Sequence, residues 1–130
     1  MNRKIIIIPT YNEAKNIGIL INKLRVFNLN ILIIDDNSPD NTAAIVKNLM
    51  DENSNLHLIH RKNKLGLGSA YREGFRYCID MGYESFIQMD ADFSHRIEDL
   101  GSLLADESNY DVIIGSRYVQ GGGTKGWSAN

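Results

Sequence analysis

Short, unbroken apolar runs alternate along this chain with longer stretches in which apolar residues return every three or four positions. The first run, residues 4–8, is largely β-branched and ends at Pro9, the pattern of a parallel strand buried on both faces. From Glu13 the period changes: Ile17, Leu20, Ile21 and Leu24 make the stripe of a helix packed on a sheet. Residues 28–30 break it, and residues 31–34 predict a second buried strand, closed by the turn formers Asp35-Asp36-Asn37-Ser38-Pro39-Asp40. Asp40 or Asn41 is placed to cap a second helix whose inner face is Ile45, Val46, Leu49 and Met50. Residues 56–59 predict a third strand. A helix opens at Gly66-Leu67-Gly68 and runs to about Met81, with Ala70, Gly74, Tyr77, Cys78 and Met81 toward the sheet and Gly82 as its stop. Residues 85–89 read as a fourth strand, 97–104 as a helix with Leu100 and Leu103 inward, and 111–114 as a fifth strand.

An unbroken strand–helix alternation calls for one α/β domain, Rossmann-like, with a mostly parallel sheet and helices on both faces, because right-handed crossovers lay each helix over the sheet. No repeat or linker divides residues 1–130. Residues 121–130 are rich in glycine and without period, so the chain reads as the N-terminal portion of a longer protein, truncated at the C-terminus, or as a naturally shortened one.

With 130 residues, 43% hydrophobic and 23% charged, the chain is long enough to bury a core and ordinary in make-up. A net charge of −2 leaves no electrostatic footprint for nucleic acid. The single Cys78 excludes an internal disulfide and, inside a helical pattern, reads as a small buried hydrophobe in a reducing compartment. The longest apolar runs are about four residues, against the roughly 20 a membrane helix needs, and the run after Lys4 is too short for a signal peptide. The expectation is a cytoplasmic protein, soluble or peripheral to a membrane, with no transmembrane segment.

Candidate chemistry gathers where the strands end. Gln88-Met89-Asp90-Ala91-Asp92-Phe93-Ser94-His95 closes the fourth strand. In extended chain Asp90 and Asp92 point the same way, and two carboxylates so close resist joint ionisation unless a cation sits near them. A divalent ion is the simplest remedy. Magnesium suits such a pair, since it takes one or two protein carboxylates and completes its shell with water and phosphate oxygens, which implies a phosphorylated ligand. In open parallel sheets ligands collect beyond the carboxyl ends of the strands. Pro9, Tyr11 and Glu13 lie there after the first strand, Asp35 and Asp36 after the second, Asp90 and Asp92 after the fourth, and Arg117 after the fifth. By contrast, Arg61, Lys62 and Lys64 read as a solvated basic loop. His57 and His60 flank the third strand with no special role, and His95 reads as a cap or loop residue.

The turn after the first strand lacks the Gly-x-Gly-x-x-Gly of a nicotinamide site, and no Gly-Lys-Ser/Thr closes a Walker loop. Gly66-x-Gly68 reads as a tight helix entry rather than a phosphate cradle. The motifs that are present are Pro9-Thr10-Tyr11-Asn12-Glu13, Ile34-Asp35-Asp36-Asn37-Ser38-Pro39-Asp40, Lys64-Leu65-Gly66-Leu67-Gly68, Met89-Asp90-Ala91-Asp92-Phe93-Ser94-His95 and Gly115-Ser116-Arg117-Tyr118. Together, in this order and over nearly the whole chain, they resemble glycosyltransferase family two, and within it the dolichol-phosphate (polyprenol-phosphate) mannosyltransferases. One departure is Ile97, where the family usually has proline.

The resemblance implies an A-type glycosyltransferase fold and an inverting hexosyltransferase of the dolichyl-phosphate β-D-mannosyltransferase kind. Mannose would move from GDP-mannose to a dolichyl or polyprenyl phosphate, with Mg2+ or Mn2+, at the cytoplasmic face of a membrane. By the same resemblance Pro9, Tyr11, Glu13, Ile34 and Asp36 hold the nucleoside, Asp90, Ala91 and Asp92 hold metal and diphosphate, and Arg117 holds the phosphate region. Asp92 and Arg117 are then the catalytic candidates, and Asp90 and Asp92 the metal ligands. A lipid monophosphate is already anionic at neutral pH and needs no general base, whereas a sugar hydroxyl would. Two other readings stay open. One is a UDP-sugar donor with a glycan or other lipid acceptor, since a carboxylate such as Asp36 accepts N–H bonds from guanine and uracil alike. The other is a truncated, catalytically silent nucleotide-sugar binding module.

Overall fold

The computed structural model describes residues 4–89, 91 and 112–114. Along them run β1 (Lys4–Thr10), α1 (Ile17–Leu24), a 3-10 turn (Arg25–Phe27), β2 (Asn30–Asp35), α2 (Thr42–Met50), β3 (Leu56–His60), α3 (Leu67–Asp80), β4 (Ser85–Gln88) and β5 (Val112–Ile114). The sheet order is β3-β2-β1-β4-β5 and every pairing is parallel. The helix expected over residues 97–104, the side chains of Asp90, Asp92, His95 and Arg117, and residues 121–130 lie outside the described residues.

From β1 the chain steps outward through β2 to β3, and after α3 it continues on the other side of β1 with β4 and β5. The order therefore reverses between β1 and β4, the switch point at which open α/β sheets take ligands. The isoleucine run of β1 is explained by its central place. Ile5, Ile6, Ile7 and Ile8 are all fully buried, because successive side chains point to opposite faces and both faces are covered. Ile6 and Ile8 join Ile31, Ile33 and Leu56 beneath Ile17, Leu20, Ile21 and Leu24 of α1 and Val46 of α2. Ile5 and Ile7 join Leu32 and Ile34 against Ala70, Tyr71 and Cys78 of α3.

Pro9 does not end β1, as the apolar run suggested; it ends only one side of it. The Ile7 carbonyl accepts the Met89 N–H at 3.1 Å, and the next rung toward β4 would need an N–H that proline lacks. Pairing with β4 stops at Ile7 and Gln88, while the ladder to β2 continues through Pro9 and Thr10. Proline thus parts β1 from β4 at the switch point. Two inward positions also differ from expectation. Met81 is 55% exposed, because α3 stops at Asp80 and the chain turns at Gly82, with φ 89°, whereas Tyr71 is only 4% exposed, packed in the cluster of Ile5, Ile7, Leu32 and Ile34. On α2 the fully buried residues are Thr42, Ala43 and Val46, with Ile45, Leu49 and Met50 partly buried on the same core.

A Cβ on Gly74 would lie 2.7 Å from Ile34 Cδ1 and 2.9 Å from Ile7 Cγ2, so the backbone of α3 rests directly on β1 and β2. Gly74→Val is expected to lower stability by about 1–3 kcal/mol through overpacking, seen as a lower urea midpoint at unchanged slope. Four residues on, burial pushes the Cys78 thiol up to about 12. A thiol so protonated and fully enclosed is inert. The native protein is expected to resist an aromatic disulfide reagent and to react at a rate that follows unfolding; prompt labelling without denaturant would contradict this. Among the described residues no helix is long and apolar enough to cross a membrane.

Candidate functional site at the carboxyl edge

Register brings the strand ends together. Thr10 pairs with Asp35, and Asp35 with His60, so Tyr11, Asp36 and Arg61 leave the sheet as neighbours. Asp35 and Asp36 adjoin in sequence but face opposite ways. Asp35, fully buried, accepts the Thr10 hydroxyl at 2.7 Å, the Ser38 hydroxyl at 2.6 Å and the Ser38 N–H at 2.9 Å. It is a structural carboxylate that shapes the turn. Asp36 shares the parity of Ile34 and turns toward α3, where Oδ1 accepts from Arg61 Nε and Oδ2 from the N–H groups of Leu65 and Gly66, at 3.2 and 3.1 Å.

Arg61 corrects the expectation of a solvated basic loop: it is 6% exposed. Its Nη1 donates to Ser69 Oγ at 2.8 Å and Glu73 Oε1 at 3.3 Å, and Nη2 donates to the Gly66 carbonyl at 3.1 Å. The hydrogen bond to Asp36 raises the Arg61 pKa above its ordinary value; burial opposes this, and the charges of Asp36 and Glu73 add to it. A signal was available in the sequence. An acid one residue past β2 and a base one residue past β3 must meet when the two strands are parallel neighbours, but that adjacency is a fact of register rather than of composition. Lys62 and Lys64 are exposed, and Lys64 Nζ stands 4.1 Å above the centroid of the Tyr11 ring, a cation–π contact worth about 0.5–1 kcal/mol at an exposed site.

Gly66 enters α3 at φ 99°, a conformation that favours glycine. Its N–H serves Asp36 and its carbonyl serves Arg61, so this turn is a structural entry, as its spacing suggested. The loop after β1 is fastened to the loop after β2. The N–H groups of Asn12, Glu13 and Ala14 donate to Ser38 Oγ at 2.8 Å, Thr42 Oγ1 at 3.0 Å and Asp40 Oδ2 at 3.0 Å. Asn12, Asn37 and Asn41 take positive φ of 59°, 58° and 72°, which asparagine tolerates better than most residues. Asn41 is the N-cap residue of α2 without a side-chain cap bond; the capping oxygen is that of Asp40, which accepts the Thr42 N–H at 3.1 Å. Burial would raise the Asp40 pKa, but the Thr42 hydroxyl and the N–H groups of Ala14 and Thr42 outweigh it and hold it below the ordinary carboxylate value. The stability Asp40 lends is therefore complete above its unfolded pKa and is lost as pH falls through the folded one.

Of the residues expected to hold a nucleoside, Tyr11 is 38% exposed and Pro9 and Glu13 are half-buried at this edge. The Glu13 carbonyl accepts the N–H groups of Asn16 and Ile17 at 3.0 and 2.8 Å, and its carboxylate accepts Asn16 Nδ2 at 3.3 Å. Ile34 is fully enclosed beneath Gly74, so it can offer a ligand only its main chain. Ala91 is buried with Ile87 and Met89 on the α1 side. Asp90, Asp92 and Arg117 fall outside the described residues, among which no three metal-ligating side chains cluster.

A parallel sheet covered on both faces and reversed at its centre defines a Rossmann-like α/β protein, a class whose ligands collect beyond the carboxyl edge of the sheet. The chain belongs to glycosyl transferase family 2, whose model matches residues 5–130. It is 41% identical over 129 residues to the polyprenol monophosphomannose synthase of Mycolicibacterium smegmatis, covering 96% of this chain and 49% of that protein. To the undecaprenyl-phosphate mannosyltransferase of Micrococcus luteus it is 41% identical over 127 residues, covering 96% and 52%. To the dolichol-phosphate mannosyltransferase of Pyrococcus furiosus it is 37% identical over 127 residues, covering 94% and 35%. The chain thus spans about half the length, or less, of these relatives. Its fold matches that of a mannosyltransferase from Pyrobaculum calidifontis, solved in complex with GDP-Man and Mn2+, with a TM-score of 0.69 at 23% identity over 82% of this chain and 32% of the other. The fold is accordingly that of A-type glycosyltransferases.

Proposed function

We propose that this chain is the nucleotide-sugar-binding part of a metal-dependent, inverting mannosyltransferase that takes mannose from GDP-mannose and delivers it to a polyprenyl or dolichyl phosphate. The observation that carries the reading is the Asp36 carboxylate, held by three donors one residue past β2, with the partly exposed Tyr11 one residue past the paired end of β1. A carboxylate offers about four lone-pair sites, three of which are taken. The last suits an N–H on the edge of a base stacked against Tyr11. The names of the relatives support mannose as the sugar and a lipid phosphate as the acceptor.

Asp90 and Asp92 follow β4 where Pro9 has parted it from β1, and a pair of carboxylates is a donor set suited to a hard divalent cation that also takes diphosphate oxygens. When bound, Mg2+ or Mn2+ supplies Lewis-acid stabilisation to the departing diphosphate. Arg117 offers a planar fork to the phosphates, and Pro9, Glu13 and the Ile34 main chain border the nucleoside. The acceptor phosphate is anionic at neutral pH and attacks without a general base. Such an acceptor lies in a membrane, which calls for peripheral contact at its cytoplasmic face.

Thermal unfolding with Mn2+ or Mg2+ tests the donor: GDP is expected to raise the midpoint and UDP to leave it near the free value. Stabilisation by UDP and not by GDP would sink the mannose assignment in favour of a UDP-sugar. Transfer of radiolabel from GDP-mannose into an organic phase separates an active enzyme from a silent binding module.

A further inference from the structure

We propose that Arg61 is a positioning residue for nucleobase recognition: it aims the Asp36 carboxylate and so sets nucleotide affinity without touching the ligand. The inference rests on the nucleotide-sugar reading above. Asp36 stands one residue beyond β2, anchored there by its N–H to the Thr10 carbonyl at 3.1 Å. Past that point its side chain has no ladder to hold it, and the donors around it determine where its free lone pair points. Arg61 makes one of them and braces the turn that carries the other two. Its Nε supplies one bond directly, and its Nη2 grips the carbonyl of Gly66, whose N–H, with that of Leu65, supplies the other two.

Arg61 is itself held from the far side. Ser69 and Glu73, in the first two turns of α3, fix Nη1, and Gly74 seats that helix on β1 and β2. The chain of contacts therefore runs from the packed sheet through α3 to Arg61 and ends at the Asp36 oxygens. The pair is sheltered, with side chains 4% and 8% exposed, so water competes little for these bonds. Lysine cannot replace arginine here, because a single ammonium lacks the planar fork that reaches Asp36, Gly66, Ser69 and Glu73 together.

The test is a double-mutant cycle read in GDP affinity with Mn2+ by calorimetry, using wild type, Asp36→Asn, Arg61→Lys and the double variant. Each single change is expected to weaken binding roughly ten- to hundredfold, the scale of one hydrogen bond to a charged group. The double variant should bind no worse than the weaker single variant, because a carboxylate that is no longer aimed has little left to lose. Losses that multiply, or Arg61→Lys with wild-type affinity, overturn the proposal. Hydrogen exchange without ligand gives a second reading: Arg61→Lys is expected to speed exchange at Leu65 and Gly66 about tenfold or more while leaving β1 protected, and unchanged rates overturn it. If Arg61→Lys does not fold, Ser69→Ala with Glu73→Gln removes two anchors of the fork and keeps the Asp36 pair. A several-fold loss of affinity with faster exchange is then expected, and wild-type values in both overturn the proposal. Wild-type protein that binds neither GDP nor UDP overturns the nucleotide-sugar reading and this inference with it; wild-type binding that Arg61→Lys leaves intact overturns this inference alone.

Discussion

Arg61→Leu is expected to lower folding stability by about 3–5 kcal/mol, the cost of stranding one member of a buried ion pair. The guanidinium is the only full positive charge on the Asp36 carboxylate among the described contacts, and its loss also leaves Ser69, Glu73 and the Gly66 carbonyl without a donor they share. An exposed pair would behave otherwise, since surface ion pairs contribute at most about 1 kcal/mol. Replacing both Arg61 and Asp36 by leucine removes the stranded charge as well as its partner, so the double variant should be markedly more stable than Arg61→Leu alone. Urea unfolding of the three proteins reads both differences. An Arg61→Leu loss below about 1 kcal/mol, on the scale of a surface pair, would mean that the pair is solvated in solution.

Asp92→Asn is expected to lower the proposed mannosyl transfer by about 10²–10³-fold, as loss of one preorganised electrostatic group does, and Asp90→Asn to do the same. The physical cause predicts more than a loss of rate. Two neighbouring carboxylates repel when no cation is present, so in chelator each variant should be as stable as wild type or more so. On adding Mn2+ the wild-type midpoint should rise and those of the variants should lag. Thermal scans with chelator and with Mn2+ measure this. A variant that gains as much from Mn2+ as wild type would show that the ion binds elsewhere.

Much of the fold was legible because its signals are local. The β-branched run of β1, the Ile17, Leu20, Ile21 and Leu24 stripe and the Gly82 stop all fall where the pattern places them. The misreadings share one cause. Residue type at Pro9 and Arg61 and periodicity at Met81 are local signals, whereas the surroundings of all three depend on what lies across the sheet or where the helix ends. Pro9 is compatible with a strand because only its β4 side lacks a donor. Met81 is exposed because α3 has already stopped at Asp80, one residue before it, and the chain turns at Gly82.

The candidate site divides in the same way. That Tyr11, Asp36 and Arg61 share the carboxyl edge follows from parallel strands joined by crossovers, which all end on one side. The direction each side chain takes there does not. Asp35 and Asp36 look equivalent as letters, yet one closes a turn and the other meets Arg61.

By itself, then, the sequence determined the strand–helix alternation, the two-faced core of β1 and the acids at the strand ends, because periodicity and turn chemistry act over a few residues at a time. Only the tertiary structure decided that Asp36 is held by Arg61, 25 residues away, and that Pro9 separates β1 from β4 while leaving it paired with β2. Both depend on which strands lie side by side and in what register, and that is settled when distant segments bury their apolar faces together.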